Sequence, residues 1–196
     1  WVTPLLAGLA VWLTYRLGKK LFGEIVGLIA ALLTLTSPFF LVNAGSLLSH
    51  VWGLALTLAF TLAWLDAFVP QFHPQASARR RWFYSLAAAA CMGMLALSRP
   101  LTAVAVALPF AIHGLILLVR GNWDVRLRLL SFGLLAGAVT ALHFAWQYAA
   151  TGDPGLNLYT LWWEYDKVGF GVGFGVRESG HSLKQAWINT RFSLLV

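Results

Sequence analysis

Charge is what this chain has least of. Asp and Glu together number 7 in 196 residues, and charged residues of both signs make up only 11%. A soluble domain carries roughly 25% charge, so the composition argues against a water-soluble enzyme and against a disordered chain. Cysteine is nearly absent. Cys91 stands alone in an apolar run, which removes a disulfide framework and a zinc cluster and leaves the redox compartment open. His50, His73, His113, His143 and His181 lack ligand spacing to one another, so no divalent metal and no cofactor is indicated. No initiator Met and no charged region precede the apolar stretch at Trp1, so the chain reads as a fragment cut at both ends, without a signal peptide. No internal repeat is visible.

What is present is apolar: 59% of residues are hydrophobic and the mean hydropathy is +0.73. Basic residues outnumber acidic ones, 14 to 7, for a formal charge of +7. Nine of the 14 fall into three clusters between apolar runs: Arg16, Lys19 and Lys20; Arg79, Arg80 and Arg81; Arg120, Arg126 and Arg128. Clusters of this kind keep loops of a multi-span protein in the cytoplasm, which accounts for the basicity without a nucleic-acid partner.

A membrane span needs about 20 apolar residues. Six runs meet or approach that length: residues 1–17, 25–41, 51–69, 82–97, 101–119 and 129–150. The fourth and fifth flank Ser98-Arg99-Pro100; fused, they would make a helix nearly twice the hydrocarbon thickness, and Pro100 disfavours helix at Arg99, so a turn is expected there. Placing the first basic cluster inside puts all three on one side. The expected fold is therefore an all-α integral membrane protein, a polytopic bundle of about six spans over residues 1–150. An extracytoplasmic loop follows over 151–191, and residues 192–196 begin a further span. Small residues four apart, Gly23, Gly27 and Ala31, Ala55, Ala59 and Ala63, and Gly133, Gly137 and Ala141, predict close helix packing. Asp66, near the inner end of its span, is expected to snorkel without a functional role.

Polar residues at membrane depth are costly, and here they gather on the outer side. Asn43, Ser46, Ser49 and His50 share one connection and Arg99 forms another. A guanidinium at the outer boundary suits bidentate phosphate binding, with His50 as a second phosphate ligand; the plainer alternatives are an Arg99 that snorkels to headgroups and a His50 that is the polar flank of its helix. The long outer loop sets Trp162, Trp163 and Tyr165 among the carboxylates Asp153, Glu164 and Asp166. Aromatic faces bordered by acids suit sugar or acceptor binding, and an interfacial aromatic belt looks the same. The alternating glycines Gly169, Gly171, Gly173 and Gly175 lack the βα context of a nucleotide loop and fit a lid or a close-packed turn. Ser182 is positioned to cap a helix over 183–192, and the adjacent His181 is a further ligand candidate.

Tyr15-Arg16-Leu17-Gly18-Lys19-Lys20-Leu21-Phe22-Gly23, the run Gly27 to Leu33, and Ser37-Pro38-Phe39-Phe40 resemble early membrane helices of the GT-C glycosyltransferases. Leu97-Ser98-Arg99-Pro100, Gly152-Asp153-Pro154, Tyr165-Asp166 and Gly169-Phe170-Gly171 continue the resemblance, which is to the family 39-like branch, bacterial relatives of the dolichyl-phosphate-mannose protein mannosyltransferases. It implies a bacterial inner-membrane enzyme that moves a sugar from a polyprenyl-phosphate carrier to a glycan, lipid or protein acceptor on the extracytoplasmic face. It also implies a catalytic carboxylate in a first outer loop, upstream of Trp1; within this chain Asp153, Glu164 and Asp166 are the catalytic candidates. Where the family often carries a second acid, this chain has Ser49-His50. A lipid-linked-sugar flippase or other transporter and a non-catalytic assembly subunit are the other classes compatible with the residues.

Overall fold

The computed structural model describes residues 2–46, 48–165, 167 and 169–195. Among them the chain is helical, with no strand and a single isolated bridge between Gly171 and His181. It divides into two compact units, residues 1–142 and 143–196.

The first unit begins with α1 (Val2–Phe22) and α2 (Glu24–Thr36), which form a hairpin. Their backbones nearly touch: a Cβ on Gly18 would lie 2.8 Å from Gly27 Cα, and one on Gly27 would lie 2.7 Å from the Tyr15 carbonyl oxygen. No side chain fits at either position. Beside this crossing Lys19 binds Glu24 at 3.1 Å and Tyr15 donates to the same carboxylate at 3.0 Å. The Lys19 ammonium, and after it the Tyr15 hydroxyl, hold Glu24 below the usual carboxylate range; the same bond raises Lys19.

The run expected as one span over 25–41 is broken. Ser37 caps a new helix, α3 (Pro38–Ala44), by accepting from the Phe40 amide at 3.4 Å, and the two axes meet at 64°. Pro38 explains the break, because it has no N–H to continue α2 but suits the first turn of α3. Next come α4 (His50–Phe68), a 3-10 turn at Pro70–Phe72, and α5 (Ala78–Ser98) capped by Ser77, whose hydroxyl accepts from Arg80 N at 3.4 Å. The expected turn falls at Arg99, and Pro100 opens α6 (Pro100–Arg120). The link Gly121-Asn122 leads to α7 (Trp123–Thr151), whose first part belongs to this unit.

α4 lies at the centre, buried on two faces. Val51, Ala55 and Leu58 pack with Ala7, Ala10, Leu13 and Phe40. Leu56, Phe60, Ala63, Trp64, Ala67 and Phe68 pack with Ala88, Met92, Leu95 and Ala103, flanked by Val125, Leu129 and Phe132 from α7. Aromatic rings fill this second cluster at favourable edge-on angles, Phe60 on Phe110 at 4.7 Å and Trp64 on Phe132 at 5.2 Å. Of the three small-residue stripes, those of α2 and α4 pack through Gly27, Ala55 and Ala63. The third does not: a Cβ on Gly133 or Gly137 meets nothing within 4 Å. On α7 the packed side is instead that of Val125, Leu129, Phe132 and Val139, which meets α5 at Gly93.

Ion pairs tie one end of this bundle. Lys20 on α1 pairs with Asp66 on α4, so Asp66 does not merely snorkel. Arg128, only 2% exposed, binds Asp124 at 3.0 Å, donates to the Ala67 carbonyl and lies over the Phe68 ring, while Trp82 donates to Asp124 at 3.2 Å. These contacts bring together the ends of α1 and α4 and the starts of α5 and α7, and with them basic residues from all three clusters.

Each of the six apolar runs corresponds to helix, but among the described residues α4, α6 and α7 alone are long and apolar enough to cross a membrane, with the bent α2–α3 pair a fourth if counted as one span. This is compatible with a membrane protein. α1 and α5 have the length, 21 residues each, and fall short in apolarity because Arg16, Lys19 and Lys20, and Arg79 to Arg81, lie inside the helices rather than beyond them.

The second unit comprises the end of α7, a short α8 (Tyr159–Trp162) and α9 (Leu183–Leu195). Ser182 caps α9 by accepting from Gln185 N at 3.2 Å, as its position predicted. Residues 192–195 lie within α9.

Candidate functional site

The end of the bundle opposite the ion pairs carries a cavity of about 640 Å³. It lies where α2 breaks into α3, where α4 begins, and where the chain turns from α5 into α6. Arg99 and His50, 49 positions apart, meet there: Arg99 Nη1 is 2.7 Å from His50 Nδ1. Arg99 Nε reaches Thr102 Oγ1 at 3.4 Å. A guanidinium can only donate, so His50 Nδ1 is the acceptor and the neutral ring carries its proton on Nε2. The pair therefore presents donors only: the remaining guanidinium N–H groups and the imidazole Nε2–H.

The arm of Arg99 reaches His50 across Gly53. A Cβ at Gly53 would lie 2.9 Å from Arg99 Cδ, so the missing side chain is the groove that admits the arginine stem.

The other polar groups of the wall include several acceptors, while Ser37 and Thr102, which accept from Phe40 N and Arg99 Nε, keep their own O–H as donors. Thr34 and Thr57 each spend their hydroxyl proton on a carbonyl one turn back, of Ala30 and Gly53, both at 2.8 Å. Ser37 accepts from Phe40, and buried Asn43 donates its Nδ2 to the Phe39 carbonyl at 2.8 Å, which leaves its Oδ1 as an acceptor. Leu33, Phe39, Phe40, Val51, Leu54 and Val106 make the rest of the wall apolar. The cavity thus combines one cationic donor cluster, a set of hydroxyl and amide acceptors, and hydrocarbon.

Asn43, His50 and Arg99 were legible as outer-end polar residues. Gly53, Thr57 and Thr102 were not singled out, although His50, Gly53 and Thr57 fall at i, i+3 and i+7, the spacing of one helix face.

In the second unit the sequence candidates occupy two separate turns. Asp153 closes a local turn, its Oδ1 accepting from Gly155 N at 2.8 Å, so this carboxylate is used in shaping the chain after α7. Trp162, Trp163, Glu164 and Tyr165 lie exposed on α8 and just beyond it, with the Trp163 and Tyr159 rings 4.9 Å apart and tilted by 36°. Asp166 lies outside the described residues. The glycine run is a turn tied by backbone bonds: Gly171 N donates to the His181 carbonyl at 2.9 Å and Gly175 N to the Tyr165 carbonyl at 2.7 Å. Gly180 is indispensable to it, with φ +76° and a space so narrow that a Cβ would fall 1.7 Å from the Gly171 oxygen. His181 meets Phe170 edge-on at 5.5 Å, and its shielded Nε2 has no partner among the described residues. Among the described residues no group of three His, Cys, Asp or Glu side chains could hold a metal.

Comparison with family models, with curated proteins and with solved structures finds no match for this chain.

Proposed function

We propose that the chain is the membrane part of a glycosyltransferase that takes a sugar from a polyprenyl-phosphate carrier and passes it to an acceptor on the extracytoplasmic face of a bacterial plasma membrane. One observation carries the reading: the cavity sets the Arg99–His50 donor pair in a wall of hydroxyl, amide and hydrocarbon groups. A phosphate diester is all acceptor and is served by Arg99 and the Nε2–H of His50. Sugar hydroxyls can donate to Thr34, Thr57 and Asn43, and an isoprenoid tail suits the leucine and phenylalanine wall. A lipid phosphate needs little help in leaving beyond charge stabilisation, so a cationic pair and a base to take the acceptor proton complete the chemistry. Glu164 and Asp166 are the carboxylates of this chain to test as that base.

The topology that goes with this reading has six spans, α1 and α5 included and α2–α3 counted as one. The three basic clusters face the cytoplasm, and the cavity and residues 151–191 lie outside. A cysteine at Ala76 is then inert to an impermeant maleimide added from outside, whereas one at Ser182 reacts.

The binding experiment compares undecaprenyl phosphate with undecaprenol on the purified chain. The phosphate is retained about tenfold better, and Arg99→Lys, which keeps the charge and loses the fork, removes most of that advantage. Equal retention of the two lipids sinks the proposal. A second reading, a lipid-linked-sugar flippase or other transporter, draws on the broken α2–α3 helix, since discontinuous spans line transport sites. It is separated by asking whether labelled sugar ends on an acceptor or inside sealed vesicles. The position of His50 and Arg99 at helix ends rather than at mid-span favours the transferase.

A further inference from the structure

A second cavity, about 350 Å³, lies in the same unit but is lined by different residues. α6 and α7 run antiparallel from Gly121-Asn122 and touch little along their lengths, leaving a cleft between them. Its walls include Phe110 and Leu118 of α6 and Leu130 and Phe132 of α7, and its floor is Phe60 and Trp64 of α4. The one polar atom among those rings, Trp64 Nε1, is already bound to His113 Nδ1 at 3.1 Å. What fills such a cleft is hydrocarbon.

The end of the cleft nearest the α6–α7 link is cationic. Arg126 stands one helical turn before Leu130, and its Nη2 donates at 2.9 Å to the carbonyl of Val119, the neighbour of Leu118. Its Nε is shielded and has no acceptor among the described residues. Arg120 ends α6 at the same level and is exposed, as is Trp123. The nearby carboxylate, Asp124, is taken by Arg128 and Trp82. Two arginines that have no carboxylate partner among the described residues, at the mouth of a hydrocarbon cleft, match an anion attached to a tail.

We propose that the α6–α7 cleft binds an anionic phospholipid of the leaflet at the basic end of the bundle, with an acyl chain against Phe60, Phe110 and Phe132 and the phosphate at Arg126 and Arg120. The site rests on the reading that the chain crosses a membrane and is independent of the transferase reading. Guanidinium in a low-dielectric rim gains most from an ionic partner there, and a basic residue near the surface favours an anionic lipid about fivefold.

The test uses the whole chain, delipidated in detergent and examined by native mass spectrometry with phosphatidylglycerol or phosphatidylcholine of identical acyl chains. Phosphatidylglycerol is retained about fivefold or more over phosphatidylcholine, and Arg126→Gln abolishes that preference while leaving phosphatidylcholine unchanged. Gly114→Leu, which fills the cleft where a Cβ is already 3.4 Å from Trp64 Cη2, lowers retention of both lipids. Should that variant fail to fold, Arg126→Gln, at the rim, carries the test alone. Equal retention of the two lipids by the unmodified chain overturns the proposal. So does a dimer that phosphatidylglycerol does not dissociate and Gly114→Leu does, since the cleft then holds a second copy. Alkaline carbonate extraction separates the failures: protein released from membranes refutes the membrane reading and this site with it, whereas retained protein without lipid preference refutes the site only.

Discussion

Two arginines of one bundle, Arg128 and Arg99, differ in what they are given. Arg128 is 2% exposed and is met by a carboxylate, a backbone carbonyl and a phenyl face. Arg99 is half-buried at the opposite end and is met by a neutral imidazole and a hydroxyl. The first charge is cancelled where it stands and joins helices. The second is oriented but not cancelled, so its field remains available to an anion. The difference teaches that burial of an arginine says less about its role than whether its partners carry the opposite charge.

The largest effect should come from breaking the cancelled pair. Asp124→Ala strands the buried Arg128 guanidinium and costs about 3–5 kcal/mol, whereas Arg99→Met costs under about 1 kcal/mol because it removes no opposite charge. Denaturation of both variants in a mild detergent, followed by loss of helical circular dichroism, checks this; equal destabilisation would erase the distinction. A smaller effect is expected at Gly53. Gly53→Ala pushes on Arg99 Cδ and swings the arm from His50, weakening undecaprenyl phosphate binding about fivefold with about 1 kcal/mol lost in stability. Binding unaltered by that methyl group would mean that the arm is not held by its groove. The smallest effect belongs to the exposed pair Lys19–Glu24. Because Glu24 is held below its ordinary range, its contribution is present at neutral pH and is lost as pH falls through its lowered value. Glu24→Gln should lower neutral-pH stability slightly and remove the same small increment from the acid limb of a stability-against-pH curve.

What could be read in the sequence follows the range of the interactions. The Arg99-Pro100 turn and the Ser182 cap are dictated within a few residues, and both were legible. The Asp124–Arg128 pair also has local, i,i+4 spacing, yet its importance was not: Arg128 was read as a retention charge because its burial depends on Ala67, 61 positions away. Asp66 was read as a snorkelling acid because Lys20 lies 46 positions away. Arg99 and His50 were each picked out as polar groups at an outer boundary, where an unpaired charge is costly enough to be informative. That they touch depends on how α4 meets the α5–α6 turn, and on Gly53, whose significance is a space rather than a side chain. The break at Ser37-Pro38 was present in the letters and was overridden by the continuous apolarity around it, because hydropathy measures length and not direction.

The burial of α4 on two faces has a mechanical consequence. A span that shows lipid on one side can roll about its long axis at little cost, since one greasy face replaces another. α4 cannot: neighbours such as Ala55 and Leu56 belong to different clusters, and any rotation pulls residues from both at once. The helix is keyed like a shaft in a slot. His50, its first residue, therefore keeps a constant heading toward Arg99, and an incoming anion finds the two donors already aimed instead of spending its own binding energy on turning them.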